Sequence, residues 1–251
     1  MAQFTDRTIM VTGAASGIGA AVVRRLYRDG ATVIACDLSP EALAKLAAEF
    51  LDSARVETAA LDVTSRDAAL NCVALARARH GALHGLVNCA GIAGVGNIMD
   101  VEPEAYHKVM AVNLDGTINM CQAFVRAVEK DTCPRAIVNI SSGAGLMGVA
   151  NRLPYVASKF GVTGITKSMS PELGPLGIRI NAVAPGVTRT PFMEYVLKDP
   201  AAAARIIAAH PIGRIGEPEE IANVIVFLLT DDASFMTGAV VSVDGGQTAC
   251  L

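Results

Sequence analysis

The sequence predicts an α/β chain, a single domain over residues 1–251 built on one doubly wound parallel sheet of about seven strands flanked by helices. Three observations predict it. Apolar, β-rich runs alternate with stretches of helical periodicity along the whole length. The runs are nearly continuous in apolar residues, as strands covered on both faces by helices must be. No linker, low-complexity tract or short-period repeat divides the chain, and right-handed crossovers then wind the strands into a doubly wound sheet.

The strand candidates in order are TIMV (8–11), TVIAC (32–36), VETAAL (56–61), GLVN (85–88), AIVNIS (136–141), IRINAVA (178–184) and AVVSV (239–243). The first runs into a glycine-rich turn and a helix, TGAASGIGAAVVRRLYRDG. A further helix is expected from EPEEIANVIVFLL, and NLDGTINMCQAFVRAVEK is a helical stretch whose small residues suit close packing within the chain or between subunits. Residues 188–214, TRTPFMEYVLKDPAAAARIIAAHPIGR, have the length of an insertion after the sixth strand, and two short helices there could form a substrate lid at the carboxyl end of the sheet.

Composition narrows the function class. Hydrophobic residues make up 52% and charged residues 18%, which suits a packed core, and the net charge of −3 gives no general attraction to nucleic acid or to an anionic membrane. Six cysteines lie scattered without C-x-x-C spacing, the habit of reduced thiols, so neither a disulfide framework nor a metal site is expected. The N-terminal residues carry acid and base without a signal-length apolar run, and IANVIVFLLT is too short to span a bilayer. The expected setting is cytoplasmic.

The glycine turn points to a dinucleotide. Gly13, Gly17 and Gly19 allow close backbone approach to a pyrophosphate, and Ser16 and Ile18 lie where the next helix offers unpaired N–H groups and its positive dipole end. The spacing is G-x-x-x-G-x-G, not the commoner G-x-G-x-x-G. About twenty residues on, Asp37 ends the second strand, placed to accept hydrogen bonds from the adenosine ribose. Neither Ala14, Ala15, Ser16 nor Leu38 supplies a cation for a 2′-phosphate, so NAD is the expected cofactor. Asp62, with Val63, follows the third strand and could meet the adenine.

The chemistry end is read from NRLPYVASKFG (151–161). On a helix, Tyr155 and Lys159 share one face a turn apart. A nearby ammonium favours the phenolate, so Lys159 is expected to lower the Tyr155 pKa and make the phenol a usable acid and base. Upstream, VNISSGAG ends a strand with Ser141 and Ser142, and a hydroxyl there could hold a substrate oxygen.

These features together resemble the short-chain dehydrogenase/reductase family over Thr12 to Gln247, with its Rossmann-like sheet. The matching residues are T-G-x-x-x-G-x-G at Thr12–Gly19, NCAG at Asn88–Gly91, VNL around Asn113, NISS at Asn139–Ser142, Tyr155 with Lys159, RINAVAPG at Arg179–Gly186 and VDGGQ at Val243–Gln247. The resemblance implies Ser142 as catalytic serine, Tyr155 as acid/base, Lys159 as both ribose ligand and pKa-lowering cation, and Asn113 as holder of a relay water. It also implies that Asn88, Ala90 and Gly91 wall the adenosine side and that Pro185, Gly186, Val187 and Thr190 lie at the nicotinamide. A homotetramer is implied too.

Three departures from the family pattern stand out. Cys89 replaces an asparagine, Pro171 should kink or end the catalytic helix downstream of Tyr155, and Cys250 and Leu251 form a short tail. The substrate lies outside the shared motifs. Asn151 and Arg152 could present polar groups, and Arg152 could pair with a carboxylate or point to solvent, which favours a polar hydroxy or keto compound such as a sugar or sugar acid. Met147, Val149, Leu153, Phe192 and Met193 argue for an apolar steroid or aryl alcohol instead. A 3-oxoacyl carrier-protein reductase and a non-catalytic NAD-binding regulatory module are the remaining alternatives.

Overall fold

A computed structural model describes residues 3–191, 193–194 and 198–249. All seven expected strands form: β1 (Thr8–Thr12), β2 (Thr32–Asp37), β3 (Val56–Ala60), β4 (Gly85–Asn88), β5 (Arg135–Ile140), β6 (Ile178–Pro185) and β7 (Val240–Val243). They make one sheet in the order β3-β2-β1-β4-β5-β6-β7, parallel throughout.

Alternation along each strand explains the continuous apolar runs. Ile9 and Val11 point to one face, against Val22, Val23 and Leu26 of α1 (Gly17–Arg28) and Ile225 and Leu229 of a helix near the C-terminus. Met10 points to the other, against Val73 and Ala76 of the helix Arg66–His80 and Met120 and Phe124 of the helix Gly116–Val128. The same split separates Val33 and Ala35 from Ile34 and Cys36. Each large side chain so buried contributes roughly 1.5–3 kcal/mol, so both faces need apolar residues and the strands lose the alternating pattern of a half-exposed sheet.

The remaining helices follow in chain order: α2 (Pro40–Ala47), α3 (Arg66–His80), α4 (Pro103–Met110), α5 (Gly116–Val128), α6 (Leu153–Leu173), α7 (Pro200–Ala208) and α8 (Pro218–Leu229). A π-helical turn, Ala111–Asp115, joins α4 to α5 and carries Asn113 inward. Among the described residues no helix is long and apolar enough to cross a membrane.

The sheet order places the site. β1 pairs with β2 on one side and β4 on the other, so the chain leaves it in opposite directions and a crevice opens beyond the carboxyl ends of the strands. The loops after β1, β4, β5 and β6 all end there.

Two expectations are refined. Pro171 does not end the catalytic helix: α6 continues to Leu173 before a 3₁₀ turn at Gly174–Leu176. The ring removes the donor to the Lys167 carbonyl only in the last turn, where one lost bond leaves the helix upstream intact. Of the two short helices expected in 188–214, the described residues hold α7; Phe192, like Cys250 and Leu251, lies outside them.

Candidate active site

Three glycines open the phosphate end. Gly13 has φ +61°, and a Cβ there would lie 2.7 Å from the Ala90 nitrogen; a Cβ on Gly19 would collide with the Gly13 carbonyl oxygen. Gly17 has φ +52° and faces the Thr190 methyl. Helix α1 starts at Gly17 with Ser16 in extended conformation and no side-chain cap, and its first turn has no acidic residue, which leaves the positive end of the helix open to the cleft. That cradle fits a dinucleotide pyrophosphate.

Asp37 is tied to this turn. Its Oδ2 accepts the Ala15 N–H at 3.0 Å and its Oδ1 the Ser39 N–H at 3.2 Å. Beside it Leu38 is 71% exposed. Asp62 holds its own loop, Oδ1 accepting from the Thr64 N–H at 2.9 Å and the Thr64 hydroxyl at 2.7 Å.

At the other end, Tyr155 and Lys159 project from α6 beside the end of β5. The Lys159 nitrogen lies 5.7 Å from the centre of the Tyr155 ring and donates to the Ile140 carbonyl at 2.8 Å. The lysine is only 5% exposed, and burial pushes its pKa down to about 8. Burial also raises the Tyr155 pKa, against the opposing effects of a hydrogen bond with Ser142 and the charge of Arg152. The net direction is thus upward, opposite to the lowering expected at this phenol. Desolvation of the phenolate outweighs the local help, and the ammonium nitrogen is directed to a carbonyl.

The two serines separate by partner. Ser141 is committed to α6, its hydroxyl 3.1 Å from the Lys159 carbonyl and 2.9 Å from the Thr163 hydroxyl. Ser142 accepts the Ala144 N–H at 3.1 Å and bonds to Tyr155, so it is the serine that faces the phenol.

A cleft of about 780 Å³ joins the two ends. It is lined by Gly13, Ser16, Gly17, Ile18, Gly19, Asp37, Leu38, Asp62, Val63, Ala90, Gly91, Ser142, Tyr155, Lys159, Pro185, Gly186, Val187 and Thr190, together with Arg152, Met147, Val149 and Met193. Nearly every expected site residue is thus brought together.

Two expected residues lie behind the wall. Asn113 is fully buried; its Oδ1 accepts the Ile92 N–H at 2.8 Å, and its Nδ2 donates to the Ile92 carbonyl and the Ser158 hydroxyl, each at 3.0 Å. It pins the 90–92 loop to α6. A Cβ on Gly91 would lie 3.3 Å from its Oδ1 and 3.7 Å from the Lys159 nitrogen, so the asparagine sits close to the lysine without lining the cleft. Asn88 is buried at the end of β4, donating to Asn139 Oδ1 at 2.9 Å and to the Cys121 sulfur at 3.3 Å.

Substrate-side expectations divide as well. Arg152 lines the cleft, whereas Asn151 has φ +58° and uses its carbonyl to accept the Gly96 N–H. Leu153 opens α6 outside the lining. The sequence reading missed Lys108, Ile92, Pro191, Ile206 and Gln247 as lining residues. Gln247 had a signal, since it closes the VDGGQ motif; Ile206 lies in an alanine-rich helix with none. Cys89 lines the cofactor side with its thiol pushed up to about 12 by burial, which keeps it neutral.

A family model described as enoyl-(acyl carrier protein) reductase matches residues 13–248. The chain is 39% identical over 249 residues to a 3-alpha-(or 20-beta)-hydroxysteroid dehydrogenase of Mycobacterium bovis, covering 99% of this chain and 92% of the relative. It belongs to the short-chain dehydrogenase/reductase family. A 3-oxoacyl-[acyl-carrier-protein] reductase of Thermotoga maritima is 39% identical over 246 residues, covering 97% of this chain and 98% of that one. The solved structure of a levodione reductase superposes with a TM-score of 0.94 at 37% identity, covering 99% of this chain and 100% of that one. This short-chain dehydrogenase/reductase is accordingly an oxidoreductase acting between alcohols and ketones with NAD or NADP, and the names of its relatives show that substrates vary widely within the family.

Proposed function

We propose that the protein is an NAD-dependent dehydrogenase that interconverts a secondary alcohol and a ketone on a substrate with a largely apolar body and one polar or anionic group. The observation that carries this reading is the hydrogen-bonded Ser142–Tyr155 pair, with Lys159 beside it, at one end of a cleft whose other end is the glycine cradle and Asp37.

In this reading Ser142 holds the reacting oxygen and Tyr155 takes its proton in oxidation or returns it in reduction. Lys159 binds the nicotinamide ribose, and Asn113 fixes the loop against which that ribose rests and keeps the relay path to Lys159 in register. The bound nicotinamide supplies the hydride acceptor or donor. Asp37 accepts the ribose hydroxyls, and its charge, beside an uncharged Leu38, opposes a 2′-phosphate. Of the lid expected in 188–214, the described residues Met193 and Ile206 line the cleft and help to exclude water from it.

The walls favour an apolar body over a sugar. Met147, Val149, Pro191, Met193 and Ile206 offer no hydrogen bonds for the several hydroxyls of a sugar, and each hydroxyl left unpaired in such a pocket costs binding. Arg152 supplies a fork for one carboxylate or carbonyl. Names of relatives that act on a steroid and on levodione agree with that shape. A carrier-protein reductase is the second reading, favoured by the Thermotoga relative. Exposed Ile118, Phe160 and Phe235 support the expected homotetramer.

The test is turnover with NAD(H) and with NADP(H), followed by absorbance, across alicyclic alcohols, steroids, aryl alcohols, hydroxy acids and sugar acids, with an acyl-pantetheine thioester for the second reading. NAD-linked oxidation of an alicyclic or steroid alcohol is expected; NADP-linked reduction confined to the thioester would replace the proposal with the second reading.

A further inference from the structure

His210 is 2% exposed although it lies two residues past α7, the helix whose Ile206 lines the cleft. Its Nδ1 is 2.7 Å from the Ile206 carbonyl oxygen, and its Nε2 is 3.2 Å from the backbone nitrogen of Val187. A carbonyl takes only a donor and a backbone N–H needs an acceptor, so these partners make Nδ1 the donor and Nε2 the acceptor of the ring. Val187 and Ile206 both line the cleft, one after β6 and the other from α7. A single buried ring therefore joins the two walls.

The surroundings restrain that ring. The Val187 carbonyl accepts the Gly216 N–H at 2.9 Å, and Ile212 donates to the Gly245 carbonyl at 3.2 Å, which anchors both ends of the segment after α7. A Cβ on Gly245 would lie 3.6 Å from the His210 Cδ2, so the turn after β7 closes its remaining side. The bond to Ile206 caps the last turn of α7 and by itself would be structural. The bond to Val187 adds nothing to that cap; it reaches across to the cofactor wall.

We propose that His210 is a positioning residue for cofactor binding: it holds the Val187 amide at the nicotinamide end and couples that wall to α7. The inference rests on the reading of Val187 as a cofactor contact.

Two conservative variants separate the two bonds. His210→Gln places an oxygen near the position of Nε2 and can still accept from Val187, while His210→Asn places a nitrogen near Nδ1 and can still donate to Ile206. NADH affinity, measured by fluorescence titration alongside thermal melting, is expected to stay within about twofold of wild type in His210→Gln and to weaken about fivefold in His210→Asn, the scale of one net hydrogen bond. His210→Ala takes the place of His210→Asn if that variant does not fold. Equal affinity in the two polar variants, with wild type binding NADH, would overturn the positioning role and leave the proposed function standing. Failure of wild type to bind either NADH or NADPH would overturn both.

Discussion

Lys159 and Tyr155 sit on one face of α6 with the ammonium nitrogen 5.7 Å from the phenol centre, and burial moves both groups towards their neutral forms, the lysine downward and the tyrosine upward. The protein therefore holds a buried cation at neutral pH whose partner in the resting state is a carbonyl.

That cation is costly. A lysine of ordinary pKa 10.5 held at about 8 binds fewer protons folded than unfolded between those values, so the penalty is fully present below pH 8 and fades as pH rises towards 10.5. Lys159→Met should abolish turnover, and the stability of the wild type relative to this variant should rise as pH climbs from about 8 towards 10.5. Denaturant titrations at several pH values check it; a stability difference that does not change over that range would contradict it.

The raised Tyr155 pKa sets the direction of pH dependence. At neutral pH the phenol is protonated and suited to donate, so ketone reduction should proceed there and decline in alkali, while alcohol oxidation should climb through the alkaline range. Profiles of kcat/KM in both directions test this. A flat oxidation profile would remove Tyr155 as the titrating base.

Cofactor choice should turn on the end of β2. Replacing Asp37 by Ala and Leu38 by Arg removes a repulsive carboxylate and adds a phosphate partner, and should shift the ratio of kcat/KM for NAD over NADP by at least about tenfold towards NADP. Retained NAD preference in the double variant would place the selector elsewhere.

The seven strands were legible because double-sided burial writes itself as continuous apolar runs, as in the split of Ile9 and Val11 from Met10. Asp37 was legible because a strand end and a spacing identify it. Asn88 and Asn113 carried the right motif, but only the folded structure shows that their side-chain nitrogens donate behind the wall. The Tyr155 shift ran opposite to expectation because desolvation depends on packing, which spacing does not encode. His210 carried no motif; its meaning comes from two backbone groups brought together by the fold.

Asn113→Ala leaves the Ile92 N–H and carbonyl and the Ser158 hydroxyl without their side-chain partner inside the protein. A loss of about 2–3 kcal/mol in stability is expected, with a lower kcat as the loop beside Lys159 loosens. Thermal melts and initial rates measure both. Wild-type stability would mean that water replaces the amide freely.

The most direct test of the central claim is Tyr155→Phe, assayed for turnover and titrated with NADH in the same preparation. Removal of the phenolic hydroxyl alone should lower kcat by about 10²–10⁴-fold and leave NADH affinity close to wild type. Turnover near the wild-type rate would show that the cleft does its chemistry without this tyrosine and would contradict the account.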